Sequence, residues 1–299
     1  MLSYLIFALT IGGIYALLAL SLNLVWGSAG MVNLGLAGFF GVGAYASAIA
    51  TGAGAPVVFG WGIAALAGVA VGLLVTFATL RLRDDYLAIV TLGFAEMVRL
   101  VALNERWLTS GADGISGIAA PMKAELGTGG FNLFYLAVVS LIVLGVWWML
   151  ARLDASPYGR TLKAIREDQE LARFAGKPVL RFKYEAFALS AAIAALAGAL
   201  YAHFQSYFSP DHIQPLITIY IFLGLTAGGV GRPAGAVAGG YAVLLFIEAT
   251  RFAADVLPGL KAVEVAAFRE ILIGAALLIM LHLKPQGFLP ETMPKAPKP

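Results

Sequence analysis

The residue types that do chemistry are sparse in this chain and poorly spaced for catalysis. It contains no cysteine, which excludes a disulfide, a thiolate nucleophile and a cysteine-ligated metal. The three histidines, His203, His212 and His282, are scattered without ligand spacing, and neither a metal nor another cofactor is expected. Asp84 and Asp85 are adjacent, but no second acidic cluster answers them, so a solvated turn is the plainer reading than paired-carboxylate acid–base work. No G-x-x-x-x-G-K-[ST] phosphate cradle occurs, so energy from ATP would have to arrive from another subunit.

What remains are ion pairs, amides and one charged segment. Glu96 and Arg99 stand three residues apart, which places them on one helical face, and Glu248 and Arg251 repeat the spacing. Each pair reads either as a structural ion pair or as part of a polar pathway. Asn23 and Asn33 flank a glycine-rich turn and read either as interhelical hydrogen-bonding groups or as pathway residues.

The charged segment, residues 152–183, carries eight basic and four acidic residues and parses as two short helices. Ser156 followed by Pro157 suits an N-cap and first helical position, and Leu162 with Ile165 forms an i, i+3 apolar pair. Asp168 then caps a second helix in which Leu171, Phe174 and Ala175 share a face; Gly176 and Pro178 stop it. A plain connector needs only a few residues. The segment is therefore read as a docking helix for a partner, with Leu171 and Phe174 as apolar anchors and the surrounding charges setting register. A basic helix lying on anionic lipid is the competing reading.

The elements that must position this segment are membrane spans. Sixty per cent of the 299 residues are hydrophobic and 12% charged, too few polar groups to cover a soluble globule. Nine apolar segments follow, approximately 2–26, 31–51, 57–80, 86–103, 131–151, 184–207, 216–230, 235–250 and 268–283; the seventh and eighth are short. The expected fold is all-α and polytopic, with some helices broken or re-entrant where glycine accumulates at 35–43 and 224–240. Close packing through small residues is the other reading of those glycines. If all nine cross, fourteen of the 20 Lys and Arg fall on one side and three on the other, which places segment 152–183 and the C-terminus in the cytoplasm. The net charge of +3 is thereby assigned to orientation and not to nucleic acid. Residues 1–290 form one transmembrane unit and the proline-rich 291–299 a flexible tail. The apolar N-terminus has no basic residue before Arg81, so it reads as a retained span and not a signal peptide.

Five blocks in order resemble the permeases of ABC importers for branched-chain amino acids, LivM-like in particular. They are SLNLVWG from Ser21 running through GMVNLGLAGFFGVGAYASA, DYLAIVTLGFAEMVRLV from Asp85, SPYGRTLKAIREDQELARFAG from Ser156, ALAGALYAHFQSYFSPD ending at Asp211, and KPQGFL. The resemblance implies a bacterial inner-membrane subunit paired with a second, LivH-like permease, two cytoplasmic ATPase subunits and an extracytoplasmic substrate-binding protein. It also implies that Glu167, Asp168, Glu170, Leu171, Ala172, Phe174 and Gly176 couple to the ATPases. Glu170-Leu171-Ala172 followed by Gly176 looks like a variant of the importer EAA-and-glycine signature, with leucine in place of the middle alanine. A secondary transporter or channel for small polar solutes is the alternative, but it leaves segment 152–183 without a task.

Overall fold

Apolar segments in hydrocarbon have no water to satisfy their peptide groups, so they close their hydrogen bonds internally as helices. The computed structural model describes residues 2–79, 84–255, 262–284 and 286–291. Its long helices are α1 (Leu2–Leu22), α2 (Leu36–Gly52), α3 (Val57–Thr79) and α4 (Asp84–Asn104). After the short α5 (Arg106–Thr109) come α6 (Lys123–Ala155), the short α7 (Pro157–Glu167) and α8 (Gln169–Phe174), then α9 (Val179–Gln205), α10 (Pro215–Gly228), α11 (Pro233–Asp255) and α12 (Ala262–Leu283). Two-residue strands β1 (Ile115–Ser116) and β2 (Tyr207–Phe208) pair antiparallel, Ile115 opposite Phe208. Among the described residues nine long helices thus stand where nine apolar segments were counted, and the protein is an all-α polytopic membrane protein. Five are long and apolar enough to cross a membrane outright: α1 with the turn that follows it, α3, α4 from Tyr86, α6 and α9. Arg81, Arg83, Lys261, Lys295 and Lys298, all used in the charge balance, lie outside the described residues.

Two boundaries differ from expectation for identifiable reasons. The second span starts at Leu36 and not at Met31, because polar side chains capture the backbone ahead of it. Asn33 Oδ1 accepts Gly35 N–H at 2.9 Å, Thr91 Oγ1 accepts Leu34 N–H at 3.0 Å and Thr218 Oγ1 accepts Ala37 N–H at 3.2 Å. The eighth apolar stretch is short, Pro233–Ala249, but the helix that carries it does not stop there: α11 runs 23 residues to Asp255, opening on Pro233, where a missing N–H costs no helical bond.

Buried α1 and α9 form the centre. α9 lies against α3, α2 and α1, and α1 against α11 and α6. Such approach needs small residues: a Cβ at Gly198 would collide with the Phe40 carbonyl, and one at Gly43 with that of Ala195. Ser21 and Ser190 lock α1 to α9 by exchanging hydroxyl-to-carbonyl hydrogen bonds of 2.8 and 2.9 Å. Outward, α3 exposes Phe59, Leu66, Leu74 and Phe77, and α6 exposes Leu133, Leu141 and Leu144. In water that band would be an aggregating patch; against lipid tails it is the proper exterior. Close packing at Gly43 and Gly228 bears out the packing reading of the glycines, while 29–35 and 229–232 are non-helical connections between helices.

Candidate functional site

The hairpin of α7 and α8 stands at the end of the molecule where α1, α6, α10 and the C-terminal segment also finish; we call this the basic end. Ser156 Oγ accepts Gly159 N–H at 3.3 Å and Pro157 opens the helix, so α7 begins where its capping residues require. It buries Leu162 and Ile165. Asp168 leaves the helical conformation and its Oδ1 accepts Leu171 N–H at 2.9 Å, which starts α8 at once on a new axis. Gly176, at φ +75°, ends it, and Lys177 N–H donates to Ala172 O at 3.1 Å.

The two faces of α8 differ sharply. Ala172 is buried with Ile165 and Val179, whereas Leu171 is 66% and Phe174 87% exposed. A groove of about 510 Å³ runs between the helices, lined by Pro157, Arg160, Ala164, Asp168, Leu171 and Ala175 among others. Glu167 and Glu170 face solvent and line a second groove with Gly30 and Lys183, Glu167 pairing with Arg166 at 2.8 Å. Lys183 Nζ donates to Gln169 Oε1 at 2.7 Å, which ties α8 to the start of α9.

Beneath the hairpin lies a junction that the sequence did not announce. Residues Asn23–Ser28 form a π-helical turn that prolongs α1. Arg166 on α7 donates to the Gly27 carbonyl of that turn and, through Nη1, pairs with Glu291 at 3.0 Å. Lys163, one turn earlier, pairs with Glu291 at 2.9 Å and with Asp154 at 2.8 Å. Burial alone would pull the Lys163 ammonium down, but hydrogen bonds to Asp154 and Glu291 more than offset it and leave it above its ordinary value. Glu291 was expected to open the flexible tail; it is instead held against α7, and 292–299 lie outside the described residues. Its segment is tethered by Phe288 N–H to Ala227 O at 2.8 Å and Leu289 N–H to Gly228 O at 2.9 Å. The detectable signal was Lys163 and Arg166 at i, i+3; nothing local pointed to Glu291.

The polar residues within the spans find structural partners. Asn23 is buried and its Oδ1 accepts Gly231 N–H at 2.8 Å, joining the π turn to the α10–α11 connection. Asn33 bonds locally to Gly35 and not across helices. Glu96 and Arg99 pair within α4 at 2.5 Å, both partly exposed. Glu248 accepts from the Tyr4 hydroxyl across to α1, while the Arg251 side chain lies outside the described atoms. Among the described residues no group of three acidic or histidine side chains could hold a metal.

Residues 4–281 match the family model described as branched-chain amino acid transport system / permease component. The chain belongs to that permease family. It is 32% identical over 315 residues to the high-affinity branched-chain amino acid transport system permease protein LivM of Escherichia coli K12, covering 96% of this chain and 70% of that one. It is 24% identical over 308 residues to LivH of the same strain, covering 94% and 92%. An L-arabinose ABC transporter permease protein, AraH of Azospirillum brasilense, matches at 29% over 233 residues, covering 76% and 63%. In the run that resembles the coupling signature, Ala172 is buried, Gly176 takes positive φ and Leu171 points outward.

Proposed function

We propose that this permease subunit of an ABC importer carries branched-chain or related hydrophobic amino acids across the bacterial inner membrane, paired with a LivH-like permease. Two cytoplasmic ATPase subunits drive it by docking on α7–α8, and an extracytoplasmic binding protein delivers the cargo. The greater likeness to LivM than to AraH supports the cargo, and the basic end, with Arg152–Lys183, Arg232 and Lys284, is the cytoplasmic one by charge.

The observation that carries the docking role is the split of α8: Ala172 is anchored inward while Leu171 and Phe174 stand in solvent beyond the apolar band. Burying two such side chains in a partner's groove contributes about 3–6 kcal/mol, enough to transmit force through a rigid hairpin. ATP-driven movement of the partners then tilts the hairpin and switches the spans between outward-open and inward-open states. The double substitution Leu171→Asp/Phe174→Asp should leave insertion intact, release the ATPase subunits on purification and abolish uptake. Normal uptake by that variant would remove the docking role.

A further inference from the structure

We infer that Arg166 is the positioning residue that carries motion of the docking hairpin into the first membrane span, with Glu291 bracing its guanidinium on the Gly27 carbonyl. The inference rests on the docking reading above and extends it inward. A helix leaves its last carbonyls without N–H partners, and a cation placed there is favoured by both the hydrogen bond and the helix dipole. Arg166 fills that role at the end of the α1 and π-turn unit, although it belongs to a helix 139 residues away in the chain. Three more of its five N–H donors are engaged: one on Nη1 with Glu291 at 3.0 Å, and one each on Nη2 and Nε with Glu167 at 2.8 and 3.2 Å. A planar guanidinium makes these four bonds from three nitrogens in a fixed fork; an ammonium would have three donors on a single nitrogen at the end of a flexible stem.

The surroundings leave little slack. Gly231, at φ +85°, lies directly against the Glu291–Arg166 pair, and a Cβ there would collide with the carboxylate. Its N–H donates to Asn23, on the same π turn whose carbonyl Arg166 holds. Glu291 is in turn held by Lys163 and by its segment's hydrogen bonds to the end of α10. Four chain segments therefore meet at one half-buried guanidinium, α7, the π turn, the 229–232 connection and the C-terminal segment. α7 cannot tilt without dragging residues 23–30 along or breaking charge-assisted bonds, which are about twice as strong as neutral ones. The π turn is the compliant member. Its wide i→i+5 winding is a local departure from the α-helix, and returning to α geometry would rotate everything N-terminal to it.

Hydrogen exchange on the full chain in nanodiscs tests the link directly. Arg166→Gln should speed exchange at residues 23–31 and 229–231 by about tenfold or more while leaving α3 unchanged. Unchanged exchange at 23–31 overturns the inference. Glu291→Gln should give the same pattern more weakly, and it decides the matter should Arg166→Gln not fold. In the assembled importer with radiolabelled leucine, Arg166→Gln should retain its ATPase subunits yet lower uptake per ATP hydrolysed by about tenfold, with Arg166→Lys recovering part. A wild-type ratio, or loss of the ATPase subunits, overturns the transmission role. Failure of Leu171→Asp/Phe174→Asp to release those subunits would instead sink the docking reading and leave the exchange result standing.

Discussion

The two ends of the molecule are built from different materials. At the basic end, separate segments meet through charges, bare carbonyls and glycine turns, with Arg166, Lys163, Glu291 and Gly231 at the centre. At the opposite end, connections meet through aromatic rings. Phe208, fully buried on β2, lies 5.1 Å from the Tyr45 ring, 5.8 Å from Phe40 and 5.3 Å from His212. Close-packed rings lose contact energy as soon as they separate, whereas charge-assisted bonds from one guanidinium to several segments oblige those segments to move together. The first construction suits a joint that moves and the second a cap that stays shut while its neighbours shift.

Breaking the cap should cost the most stability. Phe208→Ala removes a large, fully enclosed ring and should destabilise the fold by about 3–5 kcal/mol, seen as a lowered thermal unfolding midpoint in detergent. Protein that remains folded should keep its ATPase subunits and its uptake per ATP. A coupling defect as large as the stability loss would erase the distinction between the ends.

Breaking the joint should do the reverse. Gly231→Val forces a β-branched residue into positive φ beside Glu291, a strain of about 1–3 kcal/mol. Uptake should fall far more than the unfolding midpoint does. Equal loss in both measurements would make the junction ordinary packing.

Local chemistry was legible in the sequence and long-range convergence was not. Ser156, Pro157, Asp168 and Gly176 set the hairpin boundaries because caps and stops act within four residues, and the structure realises all four. The nine apolar segments were legible because a bilayer demands runs of apolar residues regardless of tertiary contacts. The π turn was invisible: what creates it is Asn23 reaching Gly231 and Arg166 reaching Gly27, contacts 208 and 139 residues apart. Asn33 was read as an interhelical or pathway group; its amide oxygen accepts locally from Gly35, beside Thr91 and Thr218, which take the neighbouring backbone N–H groups. Glu291 carried the least signal, a single acid after KPQGFLP in a stretch whose prolines argued for disorder.

The smallest expected effect also separates the ends. His212 lies in the connection after β2, packed against Tyr201, Tyr207 and Phe208, and burial there holds its imidazole below the ordinary histidine value, with the Ser209 backbone and the Asp211 charge opposing only in part. Ser209 N–H donates to Nδ1 at 3.2 Å, which requires that nitrogen to be unprotonated. Folded-state depression means that the unfolded chain takes up the proton first, at a pKa of about 6.5. The stabilisation is therefore complete above that pH and is lost as pH falls through the lower folded value. The unfolding midpoint should drop on acidification below about pH 6.5, and His212→Gln should flatten that slope. Joint substitutions such as Gly231→Val should leave the slope unchanged, since Arg166 stays charged throughout and lies at the other end; a slope that followed them would mean that the two ends open together.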